Sequence, residues 1–286
     1  GTAKSVGEPP LAKETYDPKS HEHVVNGTYP EEDDLIEELE GFASVLKRYG
    51  VEVLRPKVLE DYNQIFTRDI AFTLDNRIVI TNMIKERSRE IDAIQDVISK
   101  VEPENVMRMK RGCRLEGGDI IPVGDQVFIG YSESPDFDRY MVARTNLQGV
   151  HFVEEHFPHR KVRAFELRKS DTNARENALH LDCCFQPLGL GHCIIHREGF
   201  KKIADVEYIE SVFGKENCIY IDQQEMYDMG ANVFSIAPNV VVSERGFTRI
   251  NQELRDRGYT VEEIKYSECA KMEGLLRCST LPIIRA

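Results

Sequence analysis

The chain has 286 residues, 41% of them apolar, and carries 37 basic against 49 acidic side chains for a net charge of −12. That balance argues against nucleic acid or an anionic membrane as the main partner and suits a small cationic substrate. No apolar run approaches the roughly 18 residues that a membrane helix needs, and the N-terminus lacks a signal-peptide pattern, so a soluble protein is expected.

In chain order, an amphipathic helix is predicted in PEEDDLIEELEGFASVLKRYG, followed by a short apolar strand in VEVLRP. A hairpin follows in IAFTLDNRIVITN, turning at Asp75-Asn76. The same shape returns in DIIPVGDQVFIGYS at Gly124-Asp125, in CCFQPLGLGHCIIH around Gly189 to His192, and in NVFSIAPNVVVSE at Pro238-Asn239. A shorter version, CSTLPIIRA, ends the sequence. Between the hairpins, helices are predicted in ERSREIDAIQDVISK, RYMVARTNLQGVHFVEEHF, GFKKIADVEYIESVF and GFTRINQELRDRG. Each precedes a strand: VMRM, KVRAFEL, CIYID or VEEIKY. The period is about 50 residues, in the range of repeat or propeller architectures. An ordinary mixed α/β domain is the alternative; turns that fall in register favour the repeat, as one domain over residues 1–286.

The segments just ahead of the hairpins read FTRD, EGGD, HLD, MGAN and LLRC. In a repeat closed around an axis, equivalent strand starts converge. Asp69, Glu116, Asp119, His180, Asp182 and Cys278 are therefore expected to meet.

The stretch ALHLDCCFQPLG, read as an extended strand, puts His180, Asp182 and Cys184 on one face. Four residues of strand span roughly 13 Å, whereas a nucleophile and its base need about 3 Å. Cys184 is thus a poor nucleophile for His180, and Cys183 and Cys184 are expected to pack in the core. Cys278, flanked by Arg277, Ser279 and Thr280, and Cys113, just ahead of EGGD, remain as candidates. The seven cysteines fit neither a disulfide framework nor a CxxC metal pattern, so a reduced, cytoplasmic protein is expected.

Several carboxylates with one histidine and one thiol suit a guanidinium. Carboxylates grip its planar fork, a thiolate can attack its carbon, and a histidine can move protons. The rival is a metal held by His180, Asp182, Glu116 and Asp69. A single histidine disfavours zinc, so no metal or other cofactor is expected.

NQIFTRD, EGGD, HLD and GLLRCS, in this order, resemble the guanidino-modifying enzymes of the pentein superfamily: arginine deiminase, dimethylarginine dimethylaminohydrolase and the amidinotransferases. The likeness runs from about Asp61 to the end. FTRD with Asn63 upstream looks most like arginine deiminase, and MEGLLRCS most like the dimethylarginine hydrolases. RTNLQG, from Arg144 to Gly149, is similar to the substrate-arginine segment of those hydrolases, set back through SESPDFDRYMVA.

The resemblance implies an α/β fold of five ββαβ blades about a pseudo-fivefold axis. It implies Cys278 as nucleophile, His180 as general acid/base, and Asp69 and Glu116 as holders of the guanidinium. Asp182 supports that grip, and an acid there counts against dimethylarginine as substrate. Arg144 is the candidate carboxylate clamp, and Asn63 and Asp119 join the substrate-binding set, with a structural role at the Gly117-Gly118 turn as the alternative for Asp119. Arg68 is expected to be structural, and MGAN to contribute only backbone. The expected reaction is hydrolysis to a ureido product through a covalent thiouronium. An amidinotransferase and a non-catalytic pentein binding protein are the alternatives. The implied partner is a small cationic guanidino substrate, with a homodimer as the default assembly.

Overall fold

A helical turn that runs into an antiparallel hairpin recurs along the chain, which the computed structural model describes over residues 1–285. Thr67–Ile70 leads into β1 (Ala71–Leu74) and β2 (Arg77–Ile80), and β3 (Val106–Arg108) joins β2 in parallel. Gly117–Asp119 leads into β4 (Ile120–Val123) and β5 (Gln126–Tyr131), with β6 (Lys161–Glu166) parallel to β5. Leu181–Cys184 leads into β7 (Phe185–Pro187) and β8 (Cys193–Ile195), with β9 (Cys218–Tyr220) parallel to β8. The last set is β10 (Phe234–Ala237), β11 (Val240–Glu244) and β12 (Thr260–Ile264), in the same pattern.

The hairpin turns are local chemistry. Asp75 and Gly124 take left-handed backbone angles, φ 54° and 58°, which Asp, Asn and Gly tolerate best. Each parallel strand then needs a crossover. Helices Leu147–His156, Ile203–Phe213 and Thr248–Asp256 supply three of them. The helix expected in ERSREIDAIQDVISK is broken into two four-residue turns, Glu90–Ala93 and Gln95–Ile98. Arg87 and Glu90 at its start turn inward and are buried as an ion pair, and β-branched residues at 91, 94, 97 and 98 weaken helix propensity.

Four three-stranded sheets form among the described residues, where five units were expected. Residues 51–56 and 279–285 lie outside any strand. Pro56 and Pro282 each remove a ladder donor from these short segments. The helix α1 (Pro18–Val25) is followed by α2 (Glu32–Arg48), whose Leu35, Leu39, Phe42 and Val45 join Phe234, Tyr266, Leu275 and Cys278 in one apolar cluster. A second cluster stacks Phe128, Phe165 and Phe185 between sheets, the first two edge-on at 5.0 Å. No helix among the described residues is long and apolar enough to cross a membrane.

The stretch after His180 departs from the extended reading. Leu181–Cys184 is one helical turn, and the strand begins only at Phe185. Face parity along a strand therefore does not apply to His180, Asp182 and Cys184. The packing expectation stands: both thiols are buried, and Cys184 Sγ lies 3.5 Å from the Leu181 carbonyl oxygen.

Candidate active site

Hydrogen bonds tie the five pre-hairpin segments into a ring. Gly118 N donates to Asp69 Oδ1 (3.2 Å), and Leu181 N to Asp119 Oδ1 (2.8 Å). Asn232 Nδ2 donates to the Asp182 carbonyl (3.2 Å), and Arg277 N to the Asn232 carbonyl (3.2 Å). Arg68 N closes the circuit on the Cys278 carbonyl (2.9 Å). Such close approach depends on Gly117 and Gly118: a Cβ would lie 2.0 Å from the Arg68 carbonyl oxygen at the first and 2.7 Å from the His180 ring at the second.

Above this ring lies a cavity of about 480 Å³. Asn63, Asp69, Arg87, Arg144, His180 and Cys278 line its inner part, and the N-terminal segment from Val6 to Tyr29 supplies much of its outer wall.

His180 caps the turn that follows it, and its ring sits between two acids. Nε2 is 2.9 Å from Glu116 Oε2, and Nδ1 is 3.7 Å from Asp69 Oδ1 without a hydrogen-bond partner of its own. Burial disfavours the imidazolium, but Asp69, the Glu116 hydrogen bond and Asp119 outweigh it and raise the pKa to about 9. Burial likewise opposes ionisation of Glu116. Arg144 at 3.2 Å, the His180 contact and Arg87 outweigh it and hold the carboxyl well below the usual range. The site thus contains an imidazolium beside a carboxylate at neutral pH.

The thiol is different. Cys278 is 2% exposed, and burial, then Asp182 and Asp69, push its pKa well above the ordinary thiol value. Its Sγ lies 3.7 and 3.8 Å from the two Asp182 oxygens. Asn232 grips it twice: Nδ2 donates to Sγ at 3.1 Å, and Oδ1 accepts from Cys278 N at 3.1 Å.

The expected residues fall into two groups. Asp69, His180, Cys278, Asn63 and Arg144 line the cavity. Glu116 lies behind His180, and Asp182 lies behind Cys278 with its Oδ2 2.5 Å from Arg277. Asp119 does not line the cavity. It accepts from Thr145 Oγ1 (2.6 Å) and Leu181 N, so its place is in the ring. Asn63 Oδ1 accepts from Ile65 N at 3.1 Å. Arg144 donates to Glu116, to the Met141 carbonyl (2.9 Å) and to the Tyr16 carbonyl (2.9 Å). Arg68 bonds the Arg277 carbonyl and Thr280, a structural tie. Cys113 is half-buried against the apolar cluster of Leu115 and Phe152, away from the cavity lining.

Two contributors escaped the sequence reading. MGAN was expected to give only backbone, yet the Asn232 side chain is the thiol's nearest polar neighbour. Arg87 was not singled out, yet it donates to Asp69 Oδ2 (2.6 Å) and to Glu90 (2.7 and 3.0 Å), and lies 4.0 Å from Glu116. Its only sequence signal is its spacing, three residues before Glu90 in a predicted helix. Asp69, Glu116 and His180 offer ligand atoms within 4.8 Å of one another. Two guanidinium groups stand against those carboxylates, and they repel a divalent ion there.

The fold, with its thiol, imidazole and carboxylates brought together on one hydrogen-bonded ring of segments, is that of the guanidino-modifying pentein superfamily. Within it, the family model for eukaryotic N,N dimethylarginine dimethylhydrolase matches residues 26–285, and the chain belongs to that family. It is 28% identical over 241 residues to the uncharacterized protein YkgA of Bacillus subtilis, covering 84% of this chain and 77% of that one. It is 24% identical over 264 residues to an arginine deiminase of Listeria monocytogenes, 78% of this chain but only 61% of the deiminase's length. The N-terminal domain of the cyanobacterial arginine dihydrolase ArgZ superposes with a TM-score of 0.74 at 18% identity, covering 90% of this chain and 89% of that domain, a likeness of fold.

Proposed function

We propose that the protein hydrolyses a guanidino compound, arginine or a substituted arginine, to a ureido product and ammonia or an amine. The observation behind this reading is that Cys278, His180 and Asp69, more than 200 positions apart in sequence at the extremes, face one cavity. The relatives named for arginine and dimethylarginine hydrolysis support it.

The thiol is neutral in the empty site because burial and two acids disfavour its anion. A guanidinium held by Asp69 brings positive charge next to the sulfur and offsets those acids, so Cys278 loses its proton to solvent as substrate binds. The thiolate forms an S–C bond to the guanidinium carbon. His180, protonated at neutral pH, gives its proton to the departing nitrogen as the C–N bond breaks, leaving an S-alkylthiouronium. The neutral imidazole then takes a proton from water, whose oxygen bonds the same carbon, and the C–S bond breaks to release the ureido product and the thiol. Glu116 stabilises the imidazolium, as its 2.9 Å contact allows. Each terminal nitrogen of Arg144 spends one of its two hydrogens on the protein, on Glu116 and on the Tyr16 carbonyl, which leaves donors for a substrate carboxylate.

The test is a screen of arginine, its ω-methylated forms and agmatine for ureido product, with acid-quenched mass spectrometry of the Cys278 peptide. Product and a thiouronium mass on Cys278 are expected. No ureido product from any guanidine, with Cys278 unmodified, would end the proposal.

A further inference from the structure

A buried cation that the chemistry above does not use lies beside the general acid. Lys169, just past the end of β6, is 7% exposed. Among the described residues its ammonium makes no ion pair. It donates instead to two successive main-chain carbonyls, Ala178 at 2.7 Å and Leu179 at 2.6 Å. Lysine is almost never buried unpaired, because the desolvated charge is costly. Burial lowers its pKa, against the opposing pull of Asp119.

The two carbonyls belong to the residues directly ahead of His180. The polar loop between Arg168 and Leu179 is closed without the ammonium: Ala178 N donates to the Arg168 carbonyl (3.0 Å), and Ser170 N to Asn177 Oδ1 (3.2 Å). The ammonium adds a charged clamp on the main chain that leads into the histidine. On the other side, Leu181 N is held by Asp119 Oδ1 at 2.8 Å. Charged side chains thus fix the backbone immediately before and immediately after His180.

The ring itself is tied at one point. Nε2 meets Glu116 at 2.9 Å, and Nδ1 is buried without a partner. A single bond leaves the ring a direction in which to swing, so its stance over the cavity follows from the backbone that carries it. Lys169 is not among the residues lining the cavity, so it acts on the reaction only through His180.

We propose that Lys169 is a positioning residue for the proton transfers: through the Ala178 and Leu179 carbonyls it sets where the His180 ring stands relative to the reacting guanidine nitrogen. This rests on the guanidine-hydrolase reading and adds to it a residue that touches neither substrate nor ring. Asp69 grips the substrate and Asn232 holds the thiol, so loss of Lys169 strikes kcat and spares both.

The experiment compares the wild type with Lys169→Met, below both unfolding midpoints, on the fastest guanidine among arginine, its ω-methylated forms and agmatine. Methionine keeps the reach of the side chain and removes the donors. We expect kcat to fall roughly tenfold to a hundredfold, the scale of a catalytic group displaced by about an ångström. KM should stay within about twofold, since substrate binding is untouched, and iodoacetamide should label Cys278 at the wild-type rate. If Lys169→Met does not fold, Lys169→Gln, which keeps an amide donor on a shorter arm, replaces it under the same criteria.

Wild-type kcat in the folded variant would overturn the proposal. So would a loss of kcat accompanied by a raised KM and altered Cys278 labelling, the mark of a site that has loosened as a whole. No turnover of any guanidine by the wild type would instead sink the hydrolase reading. The stance of the ring is then read from the imidazole NMR resonances of His180: a shift in the variant supports the clamp, and unshifted resonances overturn it.

Discussion

Asn232 holds Cys278 by both ends, donating from Nδ2 to the sulfur and accepting from the cysteine's own backbone N–H, each at 3.1 Å. The amide therefore fixes where the sulfur points and is the donor best placed to stabilise its anion. Asn232→Asp keeps the shape but sets a negative charge beside the thiol. We expect the alkaline shift of the thiol to grow, with slower iodoacetamide labelling of Cys278 at pH 8. Asn232→Ala leaves Cys278 N and the Asp182 carbonyl without a partner and costs about 1–3 kcal/mol of stability. Unchanged labelling in Asn232→Asp would show that the amide does not tune the sulfur.

Cys278→Ser keeps a small hydroxyl that can accept from Asn232. Ureido formation should vanish while the unfolding midpoint moves little, because the ring of backbone bonds through Arg68 and Arg277 is untouched. Full activity in this variant would refute the covalent route.

Asp69→Asn removes the cavity acid closest to His180 Nδ1. Arg87 keeps Glu90 as its partner, so folding should suffer less than catalysis. We expect kcat/KM for cationic guanidines to fall by roughly a hundredfold, about 2.7 kcal/mol of transition-state binding. Steady-state kinetics with an unchanged KM and kcat would contradict the guanidinium role.

The His180 pKa is raised from 6.5 to about 9 by folding. A base whose folded pKa is raised adds stability that is fully present below pH 6.5 and is lost as pH climbs through about 9. The loss is on the order of 3 kcal/mol at most. Denaturant unfolding of the wild type minus His180→Gln should show this downward slope between pH 6.5 and 9. The subtraction matters because Lys19, lowered from 10.5 to about 8, contributes with the opposite sign above pH 8. A flat difference across that window would mean that the imidazole is not charged in the folded site.

Gly118→Ala places a methyl 2.7 Å from the imidazole of His180. The ring must shift away from Glu116, so turnover should drop sharply, and overpacking should cost roughly 1–3 kcal/mol. Gly124→Ala, with nothing within 4 Å of its Cβ but φ 58°, is the contrasting case: strain in a surface turn without loss of activity.

Hairpins were legible because their turns are local. Asp75-Asn76, Gly124-Asp125 and Pro238-Asn239 each separate the antiparallel strands expected around them. Their recurrence also brought Asp69, Glu116, His180 and Cys278 to one place on paper, since equivalent positions of a closed repeat must meet. The length of HLD's helical turn was not legible, because the apolar run after His180 suits a strand as well as a helical turn. The absence of a fifth sheet among the described residues was not legible either, since VEVLRP and LPII have the apolar pattern of strands and pairing depends on distant neighbours.

Charge placement needed the tertiary structure. By residue type, the acids read as grips for a substrate guanidinium. The fold also brings an internal arginine to each of them: Arg87 to Asp69, Arg144 to Glu116, Arg277 to Asp182. Periodic pattern and turn chemistry act within a few residues, so the amino-acid order alone set the repeat and the list of reactive groups. Protonation states and the Asn232 grip depend on burial and on neighbours tens to hundreds of positions away, and only the packed chain determines those.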